Sequence, residues 1–244
     1  MQVTRDELRG QVYIPEREGS LRAEMLAAAR RHDRIPYLLH PQLRELLREL
    51  RDGHPILVLQ NLGLSWAPRW HYAVVIGFDA ERDAILLRSA TIKRHVMPIA
   101  LFERTWRRSG YWAVRILRPG ELPSSPDEQR YLAAVVPLER MHKWRLTEAA
   151  YQAALAHWPH SLTAVMGLGN SRYANGELQA AIGAFRQAVV MHPEAAAAYN
   201  KLAYALAEAG EWSEAQALAE RAVALDGGAT PEFQATLEKI RARR

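Results

Sequence analysis

Apolar and polar positions change their rhythm at about residue 118. Before it, short runs of Val, Ile and Leu are broken by polar turns. After it, alanine and leucine recur at helical spacing. The first half centres on residues 56–89, ILVLQNLGLSWAPRWHYAVVIGFDAERDAILLRS. The run 56–59 ends in the polar pair Gln60 and Asn61. A loop with glycine and proline follows, and Trp70, His71 and Tyr72 open a second run, 73–78. A turn at 79–83 returns the chain into a third, 84–87. The pattern predicts three neighbouring strands, the last two paired as a hairpin. His71 falls at the mouth of the central strand, with Gln60 on the strand before it.

The flanks read as a mixture of helices and strands. Thr4 and Glu7 form a capping-box pattern for a short helix ended by Gly10. Tyr13-Ile14-Pro15 reads as an extended connector. Ser20 is placed to cap a helix over 21–31. A strand is expected over 35–39. A helix opened by Pro41 carries Leu43, Leu46, Leu47 and Leu50 and stops at Gly53. Residues 92–97 read as a strand, 99–107 as a helix opened by Pro98, and 111–117 as a last strand. Pro119, Pro123 and Pro126, with Ser124 and Ser125, mark a linker over 119–127. Residues 1–118 thus predict an α+β domain with a mostly antiparallel sheet.

Residues 128–244 are helical and repeat. The pairs Pro159/Pro193, Gly176/Gly210, Ala181/Ala215 and Tyr151/Phe185 share one step, continued by Ala154, Ala188 and Ala222. That step is the length of a tetratricopeptide repeat, which Leu168, Gly169, Gly176, Ala181, Phe185, Ala188 and Pro193 resemble. Small side chains at Gly169, Ala181 and Ala188 let paired helices approach, Phe185 fills the space between them, and Pro193 ends the second helix. Repeats are expected near 128–161, 162–195 and 196–229, the first with a poor first helix. A capping helix then opens at Thr230 or Pro231. The expected architecture is an all-α tetratricopeptide-repeat solenoid following the α+β domain.

Composition narrows the chemistry. The net charge of +5 comes from scattered arginines, densest at Arg107-Arg108 and Arg241–Arg244. Without a basic stripe carrying stacking aromatics, it reads as a solvated surface rather than a nucleic-acid interface. There is no cysteine, so disulfides, thiolate metal sites and a cysteine nucleophile are excluded within these residues. No apolar run is long enough to span a bilayer, and the first residues lack the apolar core of a signal peptide. His32, His40, His54, His95, His142 and His160 show no metal-ligand spacing, while His157 and His192 fall at repeat helix ends. Neither phosphate-loop nor dinucleotide patterns occur. No cofactor and no metal are therefore expected. Ser65 sits in a loop without a nucleophile-elbow pattern, and Asp79 and Asp83 read as turn residues. The Trp66, Trp70, Trp106 and Trp112 set divides between groove lining and core filling.

His71 is the leading chemical candidate, because an imidazole titrates near neutrality and can act as a general base. The ordered set of Gly19-Ser20-Leu21 with its alanine-rich helix, Leu43–Leu50, Pro55–Gln60, His71-Tyr72-Ala73-Val74-Val75, and Met97 through Phe102 to Trp106 resembles the papain-like cysteine peptidases that process double-glycine leader peptides. It also resembles their stand-alone bacterial relatives fused to tetratricopeptide repeats. The resemblance covers about residues 4–117. It implies a papain-like fold lacking its Cys helix, with His71 as the general base. The family's orienting acid falls in the region 86–90, where Ser89 is the nearest polar match and supplies no charge. Gln60 would be a polar residue of the groove. The family's cysteine helix and oxyanion-hole glutamine are missing.

Two readings follow. In one, the chain is a cysteine-peptidase-like domain that binds an extended peptide, coupled to repeats that hold a protein partner; its abrupt start leads us to expect a preceding cysteine-bearing segment. In the other, it is a non-enzymatic adaptor: the repeats bind a partner protein and the degenerate domain docks. The expected partners are a peptide or protein substrate, a protein on the repeats, and a second copy of the chain by self-association. The resemblance implies a bacterial protein and leaves cell envelope and cytoplasm both open.

Overall fold

A computed structural model describes residues 4–15 and 19–243. The chain divides into two compact units, 1–134 and 135–244.

The first unit is built on a six-stranded sheet in the order β1-β6-β2-β3-β4-β5. The strands are β1 (Ile35–Leu38), β2 (Ile56–Asn61), β3 (Trp70–Asp79), β4 (Ala84–Ser89), β5 (Ile92–Pro98) and β6 (Ala113–Leu117). Every pairing of these strands is antiparallel. Its helices are α1 (Arg5–Val12), α2 (Arg22–Arg31), α3 (Leu43–Arg51) and α4 (Ile99–Arg107). Strand alternation sends Ile56, Val58, Val75 and Leu87 to one face, where Leu46 of α3 and Phe102 and Trp106 of α4 are also fully buried. Leu59, Trp112 and Val114 point to the other face and pack with Met25 and Leu26 of α2. An ion pair is enclosed as well: Arg115 Nε lies 3.4 Å from Glu49 Oε2, with side chains 9% and 2% exposed. Glu49 Oε1 also accepts from Ser124 N at 2.8 Å.

Several expected boundaries move. Helix α1 continues through Gly10 to Val12; nothing lies within 4 Å of that glycine's missing side chain, and the helix ends at Tyr13 instead. The Thr4–Glu7 capping box is present. Leu21, not Ser20, caps α2, because the extended backbone persists one residue longer. Helix α3 starts at Leu43 after an extended Gln42, so Pro41 lies outside it. Strand β6 begins at Ala113 rather than Tyr111, whose φ of 55° breaks extended geometry. Strand β4 runs to Ser89, which pairs with Ala73. Asp79 and Asp83 occupy the turn at the opposite end of β3 from His71.

The second unit is a stack of helix pairs. Helix α5 (Glu128–Glu139) contains the division between the units and precedes α6 (Trp144–His157). Then come α7 (Leu162–Ala174), α8 (Leu178–Met191), α9 (Ala196–Glu208), α10 (Trp212–Asp226) and the terminal α11 (Pro231–Arg241). Helix α5 forms despite Pro137 in its last turn, so the first repeat's first helix is more regular than expected. The glycines explain the close pairing. A Cβ on Gly167 would meet the Tyr151 ring at 2.3 Å, and one on Gly169 would meet the Phe185 ring at 2.3 Å. Each aromatic ring sits where only a hydrogen leaves room. Gly176 and Gly210, with φ of 81° and 84°, make equivalent left-handed turns between paired helices.

Candidate functional sites

At one end of the sheet, β2, β3 and β4 bring His71, Gln60 and Ser89 near one another. Gln60 is the ladder partner of His71, so both side chains take the same face. His71 Nε2 lies 2.8 Å from Ser89 Oγ. Half-burial first, and then the charge of His95, pull the His71 pKa below its usual value. The neutral imidazole is therefore favoured. Gln60 faces the interior instead of an open groove: it is 1% exposed and donates to Thr105 Oγ1 at 2.7 Å. Of the tryptophans singled out in the first half, Trp106 and Trp112 are core, while Trp66 and Trp70 are exposed. Among the described residues, no group of three acidic, His or Cys side chains could hold a metal ion, and no helix is long and apolar enough to cross a membrane.

The loop joining β2 to β3 has a framework that the sequence alone did not disclose. Buried Asn61 accepts through Oδ1 from the backbone N–H groups of Gly63 and Arg69, both at 2.9 Å. Its Nδ2 donates to Leu64 O at 3.3 Å. Arg108 donates to Gly63 O at 2.6 Å. Leu62 N donates to Arg69 O, and Leu64 and Ala67 exchange backbone bonds. A Cβ on Gly63 would fall 2.4 Å from Ala67 O. In the sequence Asn61 stands only as the end of a polar pair before a loop with glycine and proline; its role needed the return of Arg69 and the end of α4.

In the second unit, one face carries an aromatic and polar array. Tyr173 of α7 meets Tyr204 of α9 edge-on, with ring centroids 6.0 Å apart. Lys239 Nζ of α11 lies 4.9 Å from the Tyr204 ring centre. Tyr173 donates to Glu208 Oε2 at 2.6 Å; burial and then that carboxylate push its pKa up. A small pocket of about 80 Å³ lies beside Tyr204, between Trp212 and Lys239. Two successive repeats and the terminal helix α11 thus bring two phenols and an ammonium together.

Comparison with family models matches the tetratricopeptide repeat over residues 138–189 and 167–230, both within the second unit. A comparison with curated proteins found no match. Similar solved structures include the TPR domain of Sgt2 from Aspergillus fumigatus, 17% identical over 49% of this chain and 80% of that one, with a TM-score of 0.47. Another is the Yersinia enterocolitica chaperone SycD in complex with a peptide of the translocator YopD, at 20% identity, 47% and 92% coverage and a TM-score of 0.44. The TPR2B domain of yeast Sti1, in its Hsp70 complex, is 16% identical over 48% of this chain and 98% of that one, with a TM-score of 0.46. The helical part of the chain is built of tetratricopeptide repeats, preceded by a region containing an antiparallel sheet.

Proposed function

We propose that the chain is a non-enzymatic adaptor whose repeats bind a partner protein through a peptide-like segment, with the sheet unit as a second docking module. The observation that carries this reading is the Tyr173–Tyr204 pair on the first helices of two matched repeats, joined by Lys239 from α11, which follows the matched region. Stacked helix pairs build extended binding surfaces, and partly exposed tyrosines give contact area at small conformational cost. The test begins with partners retained by the immobilised full chain and identified by mass spectrometry, then purified. Tyr204→Ala with Lys239→Glu is expected to weaken the purified partner's binding about tenfold or more, while His71→Ala binds normally. Equal affinity in the repeat variant, or no retained partner, overturns the reading.

A second reading is favoured by one specific geometry, the half-buried His71 bonded to Ser89. Here the sheet unit is a papain-like domain that holds an extended peptide, with His71 as base and Ser89 orienting it. The chain has no cysteine, so this activity requires one supplied from outside these residues. In a cysteine-supplemented form, His71→Ala should abolish peptide cleavage without altering the fold; undiminished turnover removes His71 as the base.

A further inference from the structure

The end of the sheet bearing the β2–β3 loop combines three features that neither the repeats nor His71 use. Leu62, Leu64, Trp66 and Trp70 are exposed by 48%, 52%, 83% and 54%. The loop presenting them is held by Asn61 and Arg108. Exposed Arg69, Arg88, Lys93 and Arg94 accompany them at this end. Its building segments contain no carboxylate, since no Asp or Glu occurs over 54–78 or 84–102.

Large apolar side chains facing water on a folded protein mark an interaction surface. Tryptophan and arginine are the residues that dominate protein interfaces. A loop ordered in advance loses little entropy on binding. The charge pattern selects an acidic partner. The same end also contains the start of β5, whose outer edge is the edge of the sheet. A free strand edge can pair with the backbone of an extended polypeptide, which a lipid surface cannot do.

We propose that this end of the sheet, formed by the 62–70 loop and the β4–β5 turn, is a docking site for an acidic polypeptide segment carrying apolar side chains. The apolar side chains pack on Leu64, Trp66 and Trp70, and the acidic ones meet Arg69, Lys93 and Arg94. This deepens the reading of the sheet unit as a docking module, and its failure leaves the repeat test untouched.

The probe is a short labelled peptide alternating Glu with Leu and Phe, read by fluorescence anisotropy with the full chain. Binding is expected to weaken at high salt. It should also weaken about tenfold or more in Trp66→Ala and in Arg69→Glu/Arg94→Glu. Replacing Leu and Phe of the peptide by Ser should have a similar effect. Val190→Ser, at an exposed position of α8, is expected to leave affinity unchanged, and circular dichroism should show all these variants folded. Gly63→Ala, which forces the loop backbone apart, should weaken binding with Trp66 still in place. Wild-type affinity in the Trp66 and arginine variants, or no binding of the peptide, overturns the proposal. Sedimentation with phosphatidylglycerol vesicles, lost in Trp66→Ala, without peptide binding assigns the surface to lipid and overturns it too.

Discussion

His71 shows how much one side chain's behaviour depends on what surrounds it. Burial, with His95 second, depresses its pKa from the usual 6.5. Between the lowered folded value and 6.5, the unfolded chain binds more protons, so stability rises with pH in that window. Above about pH 7 both states hold the neutral ring and the difference vanishes. Acidification from pH 7.5 to 5 should therefore destabilise the wild type more than His71→Gln in urea unfolding. Equal losses would show that the imidazole titrates as it does in the unfolded chain. The presence of a histidine at a strand mouth was legible in the apolar run after it. Ser89 as its polar partner was named by the resemblance over 86–90; what only the fold supplied is the extension of β4 beyond Leu87, which pairs Ser89 with Ala73 and brings its hydroxyl to the imidazole.

At the scale of elements, the repeats were the most legible part. A fixed step places small residues against large ones within a local helix pair, so spacing alone carries the packing. The Gly169–Phe185 contact is the sharpest instance, with no space for a Cβ. Gly169→Val should cost about 1–3 kcal/mol by overpacking, despite removing a helical glycine. Thermal unfolding checks this; an unchanged midpoint would mean that α7 and α8 move apart freely. The sheet's elements were recognised by type, but their ends moved where backbone conformation decided. Tyr111 adopts a left-handed φ that its residue type does not announce. Leu21 caps α2 without a side-chain bond although serine precedes it.

For the whole molecule, two separate cores imply two local responses to damage. Glu49 and Arg115 form a buried pair in the first unit. Glu49→Ala leaves the guanidinium with Glu121 at 3.7 Å and the Ile116 carbonyl, and should cost up to about 3 kcal/mol, the low end for breaking a buried pair. Hydrogen exchange is expected to show lost protection over 35–117 and little change over 162–241. Loss spread evenly over both regions would mean that the units open together. The adaptor reading sits at this scale as well, because it assigns a binding surface to each unit. The matched repeat stretches lie in the second unit alone.

The sequence by itself determined the period of the repeats, the strand-rich character of the first half and the absence of a cysteine. These are local or compositional properties, and near-neighbour side chains express them without help from distant ones. Tertiary structure alone decided that Gln60 turns inward to Thr105, that Glu49 meets Arg115, and that Asn61 and Arg108 order a tryptophan-bearing loop. Gln60 and Thr105, Glu49 and Arg115, and Asn61 and Arg108 each lie far apart along the chain. Their partnerships depend on which strands pair and how helices cover them, and no periodicity in the sequence encodes that arrangement.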